Sequence, residues 1–152
     1  MFSDDVVPVT PEGQLLGLGL GPCLKAGSWP VLVEYLPALG ETPIFQRADQ
    51  PMRFPPPPGP ITHDPLPTAA FLIPHYQPGS IPACEPLTTV QVLQAIIAAE
   101  AVLPTLDQPR LNALARWVCS APGFALTYSD LDSALNLVTG WQRQQAVQAR
   151  TT

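Results

Sequence analysis

The side chains with the chemistry for metal binding or nucleophilic catalysis lie between residues 63 and 85. They are His63, His75 and Cys84, with Asp64 and Glu85 as neighbouring carboxylates. Eleven residues separate the two histidines and eight separate His75 from Cys84, and these spacings match no zinc module. A Cys–His pair needs only spatial proximity to activate its thiolate, but no signature motif surrounds Cys84. We therefore expect capping or interface hydrogen bonds here, and no catalytic residue, metal or cofactor.

A second candidate motif is the alternating run Leu16-Gly17-Leu18-Gly19-Leu20-Gly21. It lacks the G-x-G-x-x-G spacing and the G-K-[ST] ending of phosphate-binding loops, and a proline follows it instead of a helix. Alternation places the leucines on one side and the glycine hydrogen atoms on the other, which lets another backbone approach closely. No serine lies in a G-x-S-x-G elbow. The sequence therefore favours a non-enzymatic protein.

The charge balance argues against direct contact with nucleic acid. Seven basic residues stand against twelve acidic ones, for a formal net charge of −5, and no basic run provides an electrostatic footprint. The helix that could serve as a recognition helix opens with Asp130 and Asp132, which phosphates would repel. We expect no direct binding of DNA or RNA.

The sequence also predicts no membrane span. The longest apolar stretch, residues 90–103, contains Gln91, Gln94 and Glu100 and is shorter than the ~18–20 residues that cross a bilayer. The first five residues include Asp4 and Asp5 and no basic residue, whereas a secretory signal needs a basic start. We therefore expect synthesis in the cytoplasm and no membrane partner.

The composition divides the chain into two parts. Residues 1–87 hold 18 of the 21 prolines and eight of the ten glycines, and a segment so rich in helix breakers is expected to be extended. Residues 88–152 hold only three prolines, each at a place where a helix can begin or end. The predicted fold is α+β with much irregular structure: a proline-rich arm with short strands over 1–87, and a three-helix domain over 88–152.

Three helices are predicted by caps and apolar spacing. The first begins at Thr88 or Thr89, ends at Pro104 and has so little polar surface that it should be buried nearly all round. Asp107 caps the second, which stops at Ala121-Pro122-Gly123. Ser129 caps the third, which extends to residue 149.

The proline-rich part offers two possible hairpins and one polyproline segment. A turn at residues 10–13 can join Val6–Val9 to Leu15–Leu20, and residues 37–40 can join Val31–Leu36 to Ile44–Arg47. Pro55–Pro58 is expected to form polyproline II, which loses little conformational entropy on docking.

One stretch of this arm is expected to bind a partner. Between Phe54 and Cys84 the only formal charge is Asp64, and apolar side chains recur between the prolines. Disordered segments are polar and charged, so this composition indicates a segment that lies along another surface. The predicted partner-binding residues are Phe54, Pro55, Pro56, Pro57, Pro58, Phe71, Leu72, Ile73 and Tyr76.

The expected function follows from low charge and from this arm. Only 12% of residues are charged, about half the ~25% usual for soluble domains. We expect a structural or assembly subunit of a large particle, and most specifically a phage virion protein of the head, connector or tail. Its arm would dock on neighbouring subunits, including copies of itself. The alternative is an accessory or inhibitory subunit that docks a single cellular complex and resides in the cytoplasm.

Overall fold

The chain divides into two units, each of which contains helices and strands. The computed structural model describes residues 6–47, 49–57, 59–61, 63–99, 105 and 107–151, with the backbone alone described at 146–151. One unit is Met1–Pro67 and the other is Thr68–Thr152. The division therefore falls before the change in composition at residue 87. The reason is that strands on both sides of residue 87 pair in one sheet of the second unit.

The described residues contain eight strands, four α-helices and two 3₁₀ helices. The strands are β1 Gln14–Leu15, β2 Leu24–Lys25, β3 Ile44–Gln46, β4 Pro51–Arg53, β5 Leu66–Pro67, β6 Phe71–Tyr76, β7 Ala83–Leu87 and β8 Gly123–Tyr128. The α-helices are α1 Trp29–Leu32, α2 Thr89–Ala98, α3 Gln108–Cys119 and α4 Leu131–Thr151. The 3₁₀ helices are Ala26–Ser28 and Pro37–Glu41.

The first predicted hairpin is present in a shorter form. The Gly13 N–H donates to the Thr10 carbonyl oxygen at 2.9 Å, and Gly13 has φ +83°, a conformation that favours glycine. Val9 forms a bridge with Leu15. Strand β1 continues only to Leu15 and also pairs with β5. The predicted turn therefore joins two very short extended segments.

The second predicted hairpin is wrong. Part of Val31–Leu36 belongs to the short helix α1, and β3 pairs with β4, which in turn pairs with β2. Pro30 and Pro37 lie in the first turns of α1 and of the second 3₁₀ helix, where no backbone N–H is needed. Short helices therefore form in a part of the chain that was expected to be extended.

The core of the first unit surrounds Leu39 and Met52, whose side chains are buried. The Arg53 guanidinium lies 4.6 Å from the centroid of the Trp29 ring and donates a hydrogen bond to the Leu39 carbonyl oxygen. The Trp29 Nε1–H donates to the Leu24 carbonyl oxygen at 2.9 Å. The Trp29 ring thus connects helix α1 to strands β2 and β4 through these contacts.

The second unit is built on a three-stranded sheet in the order β6-β8-β7. Strand β6 runs parallel to the central strand β8, with Phe71 opposite Gly123. Strand β7 runs antiparallel to β8, with Leu87 opposite Gly123. The sequence predicted no strand between its second and third helices, and β8 lies there. The three helices are present, but they pack on a sheet and do not form a separate bundle.

Helices cover both faces of this sheet. Phe71 and the buried residues Val92 of α2 and Val118 of α3 form the core on one face. Side chains alternate along a strand, so Phe124 and the buried Leu126 of β8 lie on the opposite face. There the rings of Phe124 and Trp141 of α4 meet edge to face at 5.7 Å. The unit therefore has three layers, helix, sheet and helix.

Two of the three predicted helix caps are confirmed. The Gln91 N–H donates to the Thr88 hydroxyl, and the Arg110 N–H donates to the Asp107 carboxylate. The third cap differs, because the helix begins at Leu131 and the Ser133 N–H donates to Asp130 at 2.7 Å. This backbone hydrogen bond lowers the pKa of Asp130. Ser129 instead donates its hydroxyl to the Asp130 carboxylate at 3.1 Å.

Helix α2 differs from its prediction in two ways. It ends at Ala98, and residues 100–104 of the predicted helix lie outside the described residues. It is also not buried all round, because the side chains of Val90 and Ile97 are exposed. These positions are seven residues apart and lie on one side of the helix.

Gly123 of β8 lies directly against Val92 of α2. A Cβ at this position would overlap Cγ2 of the buried Val92, whereas a Cβ at Gly140 of α4 would meet nothing within 4 Å. We expect Gly123→Ala to lower the free energy of unfolding by about 1–3 kcal/mol through overpacking. We expect Gly140→Ala to raise it by up to about 1 kcal/mol, because glycine is a poor helix former. Urea denaturation of both variants checks the pair, and equal effects would contradict this packing.

Candidate functional site

The proline run of the predicted arm is partly packed inside the first unit. Pro55 is buried, Pro57 is half-buried and Pro56 is exposed, while Pro58 lies outside the described residues. A Cβ at Gly21 would overlap the Pro55 carbonyl oxygen. The close backbone approach predicted for the glycine run is therefore confirmed at Gly21, and the partner there is this chain's own proline run.

The middle of the arm carries an exposed aromatic pair, Phe45 and Phe54. Their rings meet edge to face, with centroids 5.6 Å apart and planes at 69°. Phe45 pairs across the sheet with Met52, and alternation along the strand brings Phe54 to the same face as Met52. Sequence reasoning identified Phe54 but missed Phe45, because β3 was paired with the wrong segment. The register of β3 and β4 is what brings the two rings together.

The later arm residues belong to an internal strand pair of the second unit. Phe71 is buried and packs against the Trp117 ring at 5.0 Å, so the fold itself covers this side chain. Leu72 and Ile73 are half-buried in β6. Tyr76 is exposed, with its ring 5.8 Å from that of Tyr128. Of these four residues, Tyr76 alone keeps a mostly exposed side chain.

Further exposed apolar side chains lie near Tyr76 in the sequence and on α2. Ile81 lies in the loop between β6 and β7 and is strongly exposed. This loop also contains Gly79, with φ +73°. Residues 65–84 contain no Asp, Glu, Lys or Arg. The second unit therefore presents an uncharged strand and loop, together with the exposed Val90 and Ile97 of α2.

The structure does not bring His75 and Cys84 together. His75 lies opposite Thr127 and Cys84 lies opposite Leu126. Because Thr127 and Leu126 are consecutive residues of β8, the side chains of His75 and Cys84 lie on opposite faces of the sheet. Burial raises the pKa of the Cys84 thiol, which disfavours the reactive thiolate. This arrangement lacks the geometry and the ionisation of a Cys–His nucleophile.

His63 belongs to the first unit, where its Nδ1 lies 3.1 Å from the Gly17 carbonyl oxygen. This contact lies within one unit and is neither a helix cap nor an interface hydrogen bond, the two kinds that the sequence predicted. Within the described ranges, no group of three or more His, Cys, Asp or Glu residues is placed to hold a metal ion. The described helices also include none that is both long and apolar enough to span a membrane.

Comparison of the chain with protein-family models, curated proteins and solved structures found no match in any of the three. The function is therefore argued from the geometry and chemistry of the chain's own residues.

The raised pKa of Cys84 gives a test of this geometry. Cys84 is half-buried, whereas Cys119 is exposed. We expect iodoacetamide to modify Cys119 faster than Cys84 at pH 7–8, and the rate at Cys84 to rise only above the ordinary thiol pKa of about 8.5. Mass spectrometry of peptides from the intact chain gives both rates, with Cys119→Ser as the control. Faster modification of Cys84 than of Cys119 at pH 7 would show an activated thiol and contradict this assignment.

Proposed function

We propose that this chain is a non-enzymatic assembly subunit of a large multi-subunit particle. In this proposal it contacts neighbouring subunits through exposed apolar side chains of both units. The observation that carries the proposal is the exposure of large apolar residues, among them Ile81 87%, Val90 64%, Ile97 61%, Tyr76 59% and Phe45 54%. Extensive apolar exposure is typical of surfaces that bind other proteins.

The balance of charge supports the same proposal. Charged residues make up 12% of the chain, about half the ~25% that is usual in soluble domains. Contact with neighbouring subunits would remove apolar surface from water at about 25 cal/mol per Å². The net charge of −5 favours protein neighbours over a nucleic acid.

The specific form of the proposal is a phage virion protein of the head, connector or tail. Such a protein would be made in the host cytoplasm and then incorporated into the virion. Proline-rich segments suit this role because they lose little entropy when they become ordered between subunits. Copies of the chain would contact one another as well as other subunits, as in closed symmetric assemblies.

Native mass spectrometry of the particle that contains this chain tests the proposal. We expect many symmetry-related copies in a particle far larger than the 16.3 kDa chain. One copy per partner complex would instead support an accessory or inhibitory subunit. A chain found only as a free monomer, both in its source and after purification, would overturn the assembly function.

The exposed aromatic pair offers a more specific test in the same particle. We expect Phe45→Ser with Phe54→Ser to reduce incorporation about tenfold or more, because aromatic side chains often dominate interface energetics. Gln46→Ser, at an exposed position of the same strand, is the control and should incorporate normally. Quantification of the chain in sedimented particles measures the effect, and circular dichroism verifies folding. Normal incorporation of the folded double variant would exclude this pair from the interface.

A further inference from the structure

The outer edge of β6 has a defined pattern of backbone groups. Within the described residues, β6 pairs with β8 alone. The Phe71 N–H donates to the Pro122 carbonyl oxygen and the Gln77 N–H donates to the Tyr128 carbonyl oxygen, each at 2.9 Å. In a strand, residues that bond to one neighbour alternate with residues whose backbone groups point to the other side. The odd-numbered residues of β6 therefore bond to β8.

The even-numbered residues Leu72, Pro74 and Tyr76 direct their backbone groups away from the sheet. Pro74 has no N–H. Because it lies at an outward position, no hydrogen bond between β6 and β8 is lost. The outer edge therefore presents two donors, the N–H groups of Leu72 and Tyr76. It presents three acceptors, the carbonyl oxygens of all three residues.

We propose that this edge pairs with the same edge of a second copy of the chain, antiparallel and centred on Pro74. The inference rests on the proposed assembly function, in which copies contact one another. In this register Leu72 of one copy lies opposite Tyr76 of the other. Directly opposed residues of this kind exchange two N–H···O bonds, so the two Leu72–Tyr76 pairs form four hydrogen bonds.

The register is selected by the position of the proline. With Pro74 opposite Pro74, the two residues that lack an N–H face each other at the symmetry axis, and every outward N–H of the strand finds an acceptor. A shift of the register by two residues in either direction keeps only two hydrogen bonds among the outward groups of β6. The edge is thus self-complementary, as an isologous two-fold interface requires.

The absence of charged side chains also favours a second copy of the chain as the partner of this edge. Edge strands are commonly protected from pairing by charged side chains, but residues 65–84 contain none. Two chains that each carry a net charge of −5 can therefore meet at this edge without like charges in contact. Strand β7, at the other edge, contains Glu85, and antiparallel pairing of two such edges would bring like charges close together.

The side chains at the proposed contact match one another. Leu72 and Tyr76 lie on the same face of β6, because both have even positions in the strand. The antiparallel register places each Tyr76, whose side chain is exposed, beside Leu72 of the other copy. Cross-strand pairs of an aromatic and an aliphatic residue stabilise sheets. The two sheets would join into one sheet of six strands.

Replacement of Pro74 is expected to tighten association, a result that unfolding of the variant would not produce. Pro74→Ala restores an N–H at the axis and adds two hydrogen bonds per dimer, so we expect association roughly tenfold tighter than in the unmodified chain. Tyr76→Pro removes an outward donor and no bond to β8, so two of the four hydrogen bonds are lost and we expect association at least tenfold weaker. Tyr76→Ala keeps that donor and removes only the side-chain contact with Leu72, so as the matched variant it should weaken association less than Tyr76→Pro does. Sedimentation velocity of the full chain at 1–100 μM measures all four proteins. Equal association of the chain and Pro74→Ala would overturn the inference.

Disulfide formation tests the register directly. In a chain with Cys23→Ser, Cys84→Ser and Cys119→Ser, we add Pro74→Cys or, as the control, Tyr76→Cys. Opposed residues at the axis have Cα atoms ~5.5 Å apart, within the range of a disulfide, whereas the two Tyr76 positions lie far from each other. We expect the first variant to form the dimer at least tenfold faster. Equal rates would overturn the register.

Failure of this inference can be separated from failure of the proposed function. If the natural particle contains many copies but Tyr76→Pro incorporates normally, the assembly function stands and the β6 contact is wrong. If Tyr76→Pro blocks incorporation but Pro74→Cys forms no disulfide in the particle, the strand pairs with another protein and the inference is again overturned. If the chain is found in no large particle, the proposed function itself fails.

Discussion

The missing N–H of proline constrains most of this structure. A proline must lie where no backbone donor is needed, and five of the described prolines show two such places. Pro30, Pro37 and Pro109 occupy the first turns of helices. Pro74 and Pro86 occupy the two edge strands of the second sheet. Strand β8 contains no proline, and it is the strand that can donate and accept on both sides. The order β6-β8-β7 follows from this constraint.

Local signals in the sequence predict the helices of the second unit better than its sheet. Thr88 and Asp107 cap their helices because short-range hydrogen bonds decide a helix start. Strand β8 has no such signal, since Gly123–Tyr128 shows no alternation of polar and apolar residues and both its partners lie far away in sequence. A strand buried between two helical layers is defined by its neighbours, which one sequence does not reveal.

The predicted arm shows why composition alone did not identify the candidate site. An uncharged, apolar, proline-rich segment suits a docking arm, and it equally suits an edge strand that buries one face. Phe71 was expected on the binding surface, but β8 and Trp117 cover it within the fold. Tyr76, five residues later in the same strand, remains exposed. Phe54 and Tyr76 are exposed and their partner-binding role stays a prediction, whereas exposed Phe45 required the register of β3 and β4.

The layered second unit limits where its sheet can meet another protein backbone. Helices α2 and α3 occupy one face of the sheet and α4 occupies the other, so the edges are the places that remain for strand pairing. A charged edge would resist pairing with its own copy, and β6 carries one proline and no formal charge. Pro74 removes the backbone donor at one of the three outward positions of β6. Most registers therefore lose hydrogen bonds, and the register with Pro74 opposite Pro74 keeps the most. The same residue that protects this edge from unspecific pairing can thus define a specific contact.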